Sequence, residues 1–362
     1  MKFNTEMESV NAETKENILV ISSSKPLTVL SSAVLNGGLV KADAVINVQV
    51  PEGSGEDKTD LHWNTETFLK TQIKKLHLSS GTVCLMTAAK MKNVAAATRK
   101  CEGTALALCV TAGTTVAVTA GEPAASKTAP KPGTINIILL VDSDMTDGCM
   151  VEAHKTITEA KTVALRELDV RSQFSGDLAS GTLTDSVAVA CTKRGEFISY
   201  AGTFTLIGET IAQCVRQCVK EAIYKQENFG SNRPLQKRLA ERGIQPEDVL
   251  SLSEAEASKV TQLKTELGKT LADEKISQLV LACLRFDDDL SKGLIPKAEA
   301  TTVDQATFEK IVTTTVRDYL SEGKNPSACG RLKLKLRNEE NLGPLTTCLL
   351  NAILKSIQAK SE

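Results

Sequence analysis

The chain has 362 residues, 41% of them apolar and 24% charged, and its 43 Lys and Arg are balanced by 44 Asp and Glu. That is a globular profile, and the even charge excludes a global field that would draw the chain to nucleic acid or an anionic membrane. Aromatics make up only 3%, too few for base-stacking platforms, and the longest apolar runs, such as residues 135–141, fall far short of the ~20 residues that span a bilayer.

The first residues, MKFNTEMESVNAETKEN, are polar and acidic, unlike a secretory leader, so a cytoplasmic location is expected. Between residues 17 and 225, short apolar runs alternate with helical periodicity. NILVISS, AVINVQV, GTVCLMTA, ALALCVTAG, TINIILLVD and DSVAVAC predict strands, while residues 65–76, 147–168 and 207–225 predict helices. This order implies an α/β or α+β sheet domain with packed helices. EPAASKTAPKPG (122–133) holds three Pro in twelve residues and reads as a surface loop. The polar break KQENFGSNRP (225–234) precedes residues 235–242, 253–267, 273–285, 307–320 and 345–357, all of helical pattern and with almost no strand signal. Two domains are therefore expected, 1–228 with the sheet and 229–362 smaller and all-α.

Ten Cys are scattered, several of them inside apolar runs where a thiol packs as a small hydrophobe. Cys214 and Cys218 stand at i,i+4 in a predicted helix, but no second pair or nearby His completes a tetrahedral metal set. His62, His77 and His154 form no zinc-binding pattern, so no protein-bound metal is expected.

Five polar clusters interrupt these elements. Asn36, Gly37, Gly38 and Asn47 lie in SSAVLNGGLVKADAVINVQVP, where Gly admits close backbone approach and Asn can pair with amides, or where both simply form a turn. Thr87 ends the strand TVCLMTAA. Thr134 and Asn136 sit in KPGTINIILLVDS, and Asn136 is embedded in so apolar a run that it needs a hydrogen-bond partner, structural or ligand. In the helix over 145–168, Thr146 is the expected N-cap, and Met150, Ala153, Ile157, Ala160, Ala164 and Leu168 share one apolar stripe. Lys161 falls on the edge of that stripe, as a snorkelling stem or a desolvated amine fit for acid–base work, and His154 lies on the same edge; Glu159 points to the other side. Finally, LASGTLTDSVAVAC crowds Gly181, Thr182, Thr184 and Asp185 before a strand, as a turn or as a catalytic loop.

In order, SSAVLNGG, MTAA, TAG, GTINI, TEAK, SGTLTDS and AGTFTLIGE resemble the adenosylcobinamide amidohydrolase (CbiZ) family, over about residues 17–225. The resemblance implies hydrolysis of the amide joining the aminopropanol arm to the corrin ring of adenosylcobinamide, giving adenosylcobyric acid for corrinoid salvage. Cobalt then belongs to the substrate, and no cofactor of the protein is implied. Amide hydrolysis needs an activated nucleophile, oxyanion stabilisation and a proton for the departing amine. On this reading Asp185 activates water, Lys161 or Glu159 serves the amine, and Thr182, Thr184 and the backbone around Gly181 support the oxyanion. Asn36, Gly37, Gly38, Asn47, Thr87, Thr134 and Asn136 would bind the amide-rimmed substrate. A Thr or Ser nucleophile activated by Lys161 is the competing mechanism. The chain departs from the family after TAG, where Thr114-Thr115-Val116-Ala117 stands in place of an expected Asn-Ala pair, and at Ser180, where a Thr is expected. A corrinoid-binding or escort protein without hydrolysis is therefore the alternative function.

After residue 229, RLAERGIQPEDVL, GLIP, DYLSEG and NLGPL weakly resemble the α-ribazole phosphatase and phosphatidylglycerophosphatase A families. The positions expected to carry their metal-binding acids read IVTTTVR (311–317) and LTTCLLNA (345–352). Hard divalent ions need carboxylate oxygens, so a degenerate domain is expected, with Asp287, Asp288 and Asp289 on a solvated face; a bifunctional enzyme and a homo-oligomer remain open.

Overall fold

The computed structural model describes residues 1–51, 64–123, 133–229, 233–242, 257–294 and 343–361, with isolated positions between 310 and 319. Contacts divide the chain into two units, Met1–Ser231 and Asn232–Glu362.

The first unit is built on a nine-stranded mixed sheet. Its strands are β1 (Lys2–Phe3), β2 (Val10–Lys15), β3 (Ile18–Ser31), β4 (Gly38–Gln49), β5 (Val83–Thr87), β6 (Ala95–Cys101), β7 (Thr104–Ala112), β9 (Ile135–Val141) and β12 (Ser186–Cys191). The main path runs β1-β2-β3-β12-β9-β7-β6, and β4 and β5 continue from β3 on a branch. Pairing is antiparallel except between β12 and β9 and between β4 and β5. Two short ladders flank the sheet, β8 (Ala117–Val118) with β11 (Gly181–Thr182), and β10 (Asp144–Met145) with β13 (Phe197–Ile198).

The branch lets the sheet fold over itself. The register of β3 against β4 shifts between Ser22 and Leu27, where the polar SSKP passes through as a bulge. One buried cluster then joins Val45, Val83 and Leu85 of the branch to Cys109, Ile138, Leu140 and Ala188 of the main path. On the outer side of the branch lies α1 (Thr65–Lys75), whose Leu69 and Ile73 pack on Val20, Ile46 and Cys84. The outer side of the main path is covered by α2 (Asp147–Glu167) and α3 (Leu206–Glu227). The result is four layers: helix, sheet half, sheet half, helix pair. Every member of the predicted α2 stripe is buried in that last interface, and Thr146 caps α2 by accepting from the Cys149 N–H at 3.1 Å.

The strands of the sheet were longer than their apolar runs. β3 and β4 extend through polar segments, because strand alternation exposes one face and needs no continuous apolar stretch. β1, β2 and β6 lie in sequence that carries little apolar signal; in β2 only Val10 and Ala12 turn inward. Cys214 and Cys218 pack into the core of α3, and burial pushes the Cys218 thiol up to about 12, which opposes metal binding by a thiolate pair. Among the described residues, no group of three or more His, Cys, Asp or Glu could hold a metal ion, and no helix is long and apolar enough to cross a membrane.

The second unit is helical, with α4 (Leu235–Ala240), α5 (Ala257–Ala272), α6 (Glu274–Ser291) and α7 (Pro344–Ser361). The helix expected over 307–320 and most of the 311–317 segment lie outside the described residues. Asp287 corrects the expectation of a solvated acidic face. It is 6% exposed, and its carboxylate accepts the Leu345 and Thr346 N–H groups at 3.2 and 2.8 Å, capping α7 from the neighbouring helix. Asp289 alone of the three is fully on the surface.

Ile138 stands between the two sheet halves at 1% exposure. Ile138→Ala is expected to cost about 2–5 kcal/mol, read as a lower urea midpoint with the slope of the transition unchanged.

Candidate active site

Ile135 opens β9, and Asp185 immediately precedes its parallel neighbour β12, so both stand at the same sheet end. The Asp185 carboxylate is a convergence point. Its Oδ1 accepts from the Ile135 N–H at 3.0 Å and from the Thr182 hydroxyl at 2.5 Å. Its Oδ2 accepts from the Thr182 N–H at 3.1 Å and from the Lys161 ammonium, which reaches in from α2. The Lys161 and Asp185 side chains are 9% and 11% exposed, so this ion pair is largely withdrawn from water. Sequence spacing left Lys161 as either a snorkelling stem or a desolvated amine; its head group is in fact turned inward onto a carboxylate.

Gly181 makes that approach sterically open. A Cβ there would collide with Asp185 Oδ2 and lie 2.8 Å from Lys161 Nζ. Thr182 is buried beside the pair, while Thr184 is on the surface and its hydroxyl lies 2.7 Å from the Thr134 hydroxyl and 3.1 Å from the Gly133 carbonyl. Thus Lys161, Gly181, Thr182, Thr184, Asp185 and Thr134 are brought together. Glu159 is not among them: two positions from Lys161 is about 200° around the helix, and Glu159 faces solvent.

The other predicted residues have different surroundings. Asn36 adopts a left-handed backbone (φ 55°), and its Nδ2 donates to the carbonyls of Ser80 and Thr82 at 2.9 and 2.8 Å. A Cβ on Gly37 would lie 2.6 Å from the Ala33 carbonyl oxygen, and Gly38 has φ 90°. These three residues make a braced turn. Asn47 and Asn136 are each 1% exposed and bond to one another, with Asn136 Nδ2 donating to Asn47 Oδ1 at 2.9 Å and Asn47 Nδ2 donating to the Thr111 hydroxyl at 2.9 Å. They stitch the branch to the main path inside the fold. Thr87 is equally buried and accepts from the Ala89 N–H at 3.0 Å.

Several contributors were not singled out from sequence. Ser32 and Ser186 bring their hydroxyls within 3.3 Å, and Ser32 accepts the Val187 N–H at 3.1 Å, linking the turn after β3 to the strand after Asp185. The hydroxyl-rich SS and TDS strings that flank the motifs were the available signal. Thr114, in the stretch after TAG where an Asn-Ala pair was expected, gives both its N–H and its hydroxyl to Glu227, the last residue of α3. His154 lies two turns before Lys161; burial, and then the Lys161 charge, hold its imidazole below the ordinary value.

The geometry offers an anion held by four donors, an ammonium and a hydroxyl among them: the components of proton transfer and oxyanion support, with no metal-ligand set among the described residues.

The family model described as adenosylcobinamide amidohydrolase (CbiZ) matches residues 2–231, more than half of the chain. An uncharacterized protein, MJ1613, of Methanocaldococcus jannaschii is 45% identical over 98 residues, which are 27% of this chain and 38% of that protein. An adenosylcobinamide amidohydrolase of Methanosarcina mazei is 29% identical over 201 residues, 53% of this chain and 88% of its own length. One of Halobacterium salinarum is 31% identical over 98 residues, 27% of this chain and 38% of its length. Two of these three relatives are thus spanned over little more than a third of their length.

Two outcomes follow from this geometry. Gly181→Ala is expected to force Lys161 and Asp185 apart, lowering Tm and reducing any activity that depends on the pair by at least tenfold; unchanged Tm and activity would show that the loop accommodates a methyl. Because the folded protein disfavours protonated His154, stability should be complete above about pH 6.5 and decline as pH falls below it. Urea midpoints at pH 7 and pH 5 check this, and His154→Gln should flatten the difference.

Proposed function

Because the chain belongs to the adenosylcobinamide amidohydrolase (CbiZ) family, we propose that it hydrolyses the aminopropanol amide of adenosylcobinamide, yielding adenosylcobyric acid and the free amine for corrinoid salvage. The observation that carries the reading is the buried Lys161–Asp185 pair with the Thr182 hydroxyl on it, inside the matched region.

In the proposed reaction, water adds to the amide carbonyl and its proton passes through the Thr182 hydroxyl to Asp185, both of whose oxygens are otherwise engaged. Lys161 gives a proton to the nitrogen as the C–N bond breaks, and the proton on Asp185 then restores Lys161. One water is consumed, and a carboxyl group and an amine leave. N–H groups of the 180–184 loop other than those of Ser180 and Thr182, which donate to the Val118 carbonyl and to Asp185, support the oxyanion, joined by the Thr184 hydroxyl once it turns from the Gly133 carbonyl. Val34 and Leu183, 55% and 48% exposed, stand on the two loops that meet through Ser32 and Ser186; they suit contact with the apolar face of a macrocycle whose rim is amide. Glu159 has no part in this scheme. The helical unit is assigned no chemistry.

Incubation with adenosylcobinamide, followed by mass spectrometry, should reveal adenosylcobyric acid and aminopropanol. Asp185→Asn and Lys161→Met should each lower kcat by about 10²–10⁴-fold, the range of a lost acid or base. A covalent acyl group trapped on Thr182 would replace the water mechanism by the nucleophilic one. Tight corrinoid binding without product would instead assign the chain to the escort function.

A further inference from the structure

Asn136 carries a buried acceptor that its own network leaves over. Its Nδ2 donates to Asn47 Oδ1 and, at 2.8 Å, to the Met86 carbonyl. Since a carbonyl can only accept, this contact fixes which way the amide faces. Asn136 Oδ1 then has no partner among the described residues, at 1% residue exposure, and the same holds for Ser31 Oγ, at 8%.

The register places these two orphans on one face of the sheet, two residues apart along β12. β12 runs between β3 and β9, with Ser31 opposite Ala188 and Ser186 opposite Asn136. Val29, Ala188 and Ile138 point into the interior between the sheet halves, so Ser31, Ser186 and Asn136, each two residues away along its strand, face the same interior. A polar patch thus spans three strands at the sheet end that carries Asp185, with Ser186 and Asn136 paired and Ser31 one inward position further along, opposite Ala188. Ser186 is on the middle strand, and its hydroxyl lies 3.3 Å from that of the exposed Ser32.

We propose that this patch is an internal hydration site, with one ordered water donating to Asn136 Oδ1 and another bonding to Ser31 Oγ. Buried polar atoms are almost always paired, and a polar cavity with two to four partners retains water. The spacing sets the number. Two strand intervals of about 4.8 Å, together with two residues of about 3.3 Å each along the strand, separate Ser31 from Asn136 by roughly 12 Å, whereas one water spans only about 5.6 Å between its partners, so each orphan needs a water of its own. The site takes small hydrogen-bond donors and is independent of the proposed catalytic reading. It also gives Asn136 a structural duty in place of the substrate contact that the family resemblance implied.

A crystal structure of the full chain without ligand, at about 2 Å or better, should place water within 3.2 Å of Asn136 Oδ1 and of Ser31 Oγ. Ser31→Ala supplies a second measurement, whose sign is diagnostic. Removal of a truly unpaired hydroxyl leaves Tm unchanged or raises it; removal of one that anchors buried water lowers it, here by roughly 2–4 °C. Both waters together with a lowered Tm support the proposal. Dry density at Asn136 Oδ1, or an unchanged or raised Tm for Ser31→Ala, overturns it. An altered KM for adenosylcobinamide in Ser31→Ala with no change in Tm also overturns it, by assigning the patch to substrate.

Discussion

The arrangement of the sheet end depends on one carboxylate. Asp185 gathers donors from β9, from the β11 turn and from α2, so three separately formed elements meet on two oxygen atoms. Removing a charge from such a pair strands its partner in a poorly solvated place, typically at a cost of 3–5 kcal/mol. The pair therefore demands Gly181, which has no Cβ to hold it apart, and demands that α2 keep Lys161 at the rim of its buried stripe. The apolar stripe supplies that placement: Ile157, Ala160 and Ala164 fix the rotation of the helix, and Lys161 follows from it.

How much of this was legible in the sequence depends on the range of the interaction. Elements whose signal is local were readable: the α2 stripe, its Thr146 cap, and the six apolar strand cores. The extent of β3 was not, because SSKP has the composition of a turn and yet is a bulge within one strand, held by pairing to β4. The N-terminal strands were hidden for a related reason. Only one face of β2 is buried, and a strand of six residues with two inward apolar side chains looks like polar tail.

The site was legible as a set of residue types and not as a set of contacts. The string SGTLTDS names Gly181, Thr182 and Asp185, and their mutual hydrogen bonds are local enough for composition to suggest them. The partnership of Asp185 with Lys161 crosses 24 positions and two element types, and no periodicity encodes it. Asn47 and Asn136, 89 positions apart, pair for the same reason that Asn136 looked odd in an apolar run: a buried amide must find another polar group. Sequence could state that need but could not say whether protein or substrate would meet it.

The placement of the ion pair also bears on why it exists. A buried pair is weak evidence for stability, since well-packed apolar side chains of similar volume often serve as well or better. Here the pair does not sit in the middle of the α2 interface, where Ile and Ala already fill the space. It sits at the strand end, next to a loop with exposed Leu183 and Thr184, where a scaffold can present groups to a ligand. Deeper burial would cost the two charges more hydration than their attraction returns, and a surface pair would be screened by water. Partial withdrawal beside an open loop strengthens the field of both charges while keeping the Thr182 hydroxyl on the carboxylate, and under the proposed reaction that combination serves proton transfer to a poor leaving group.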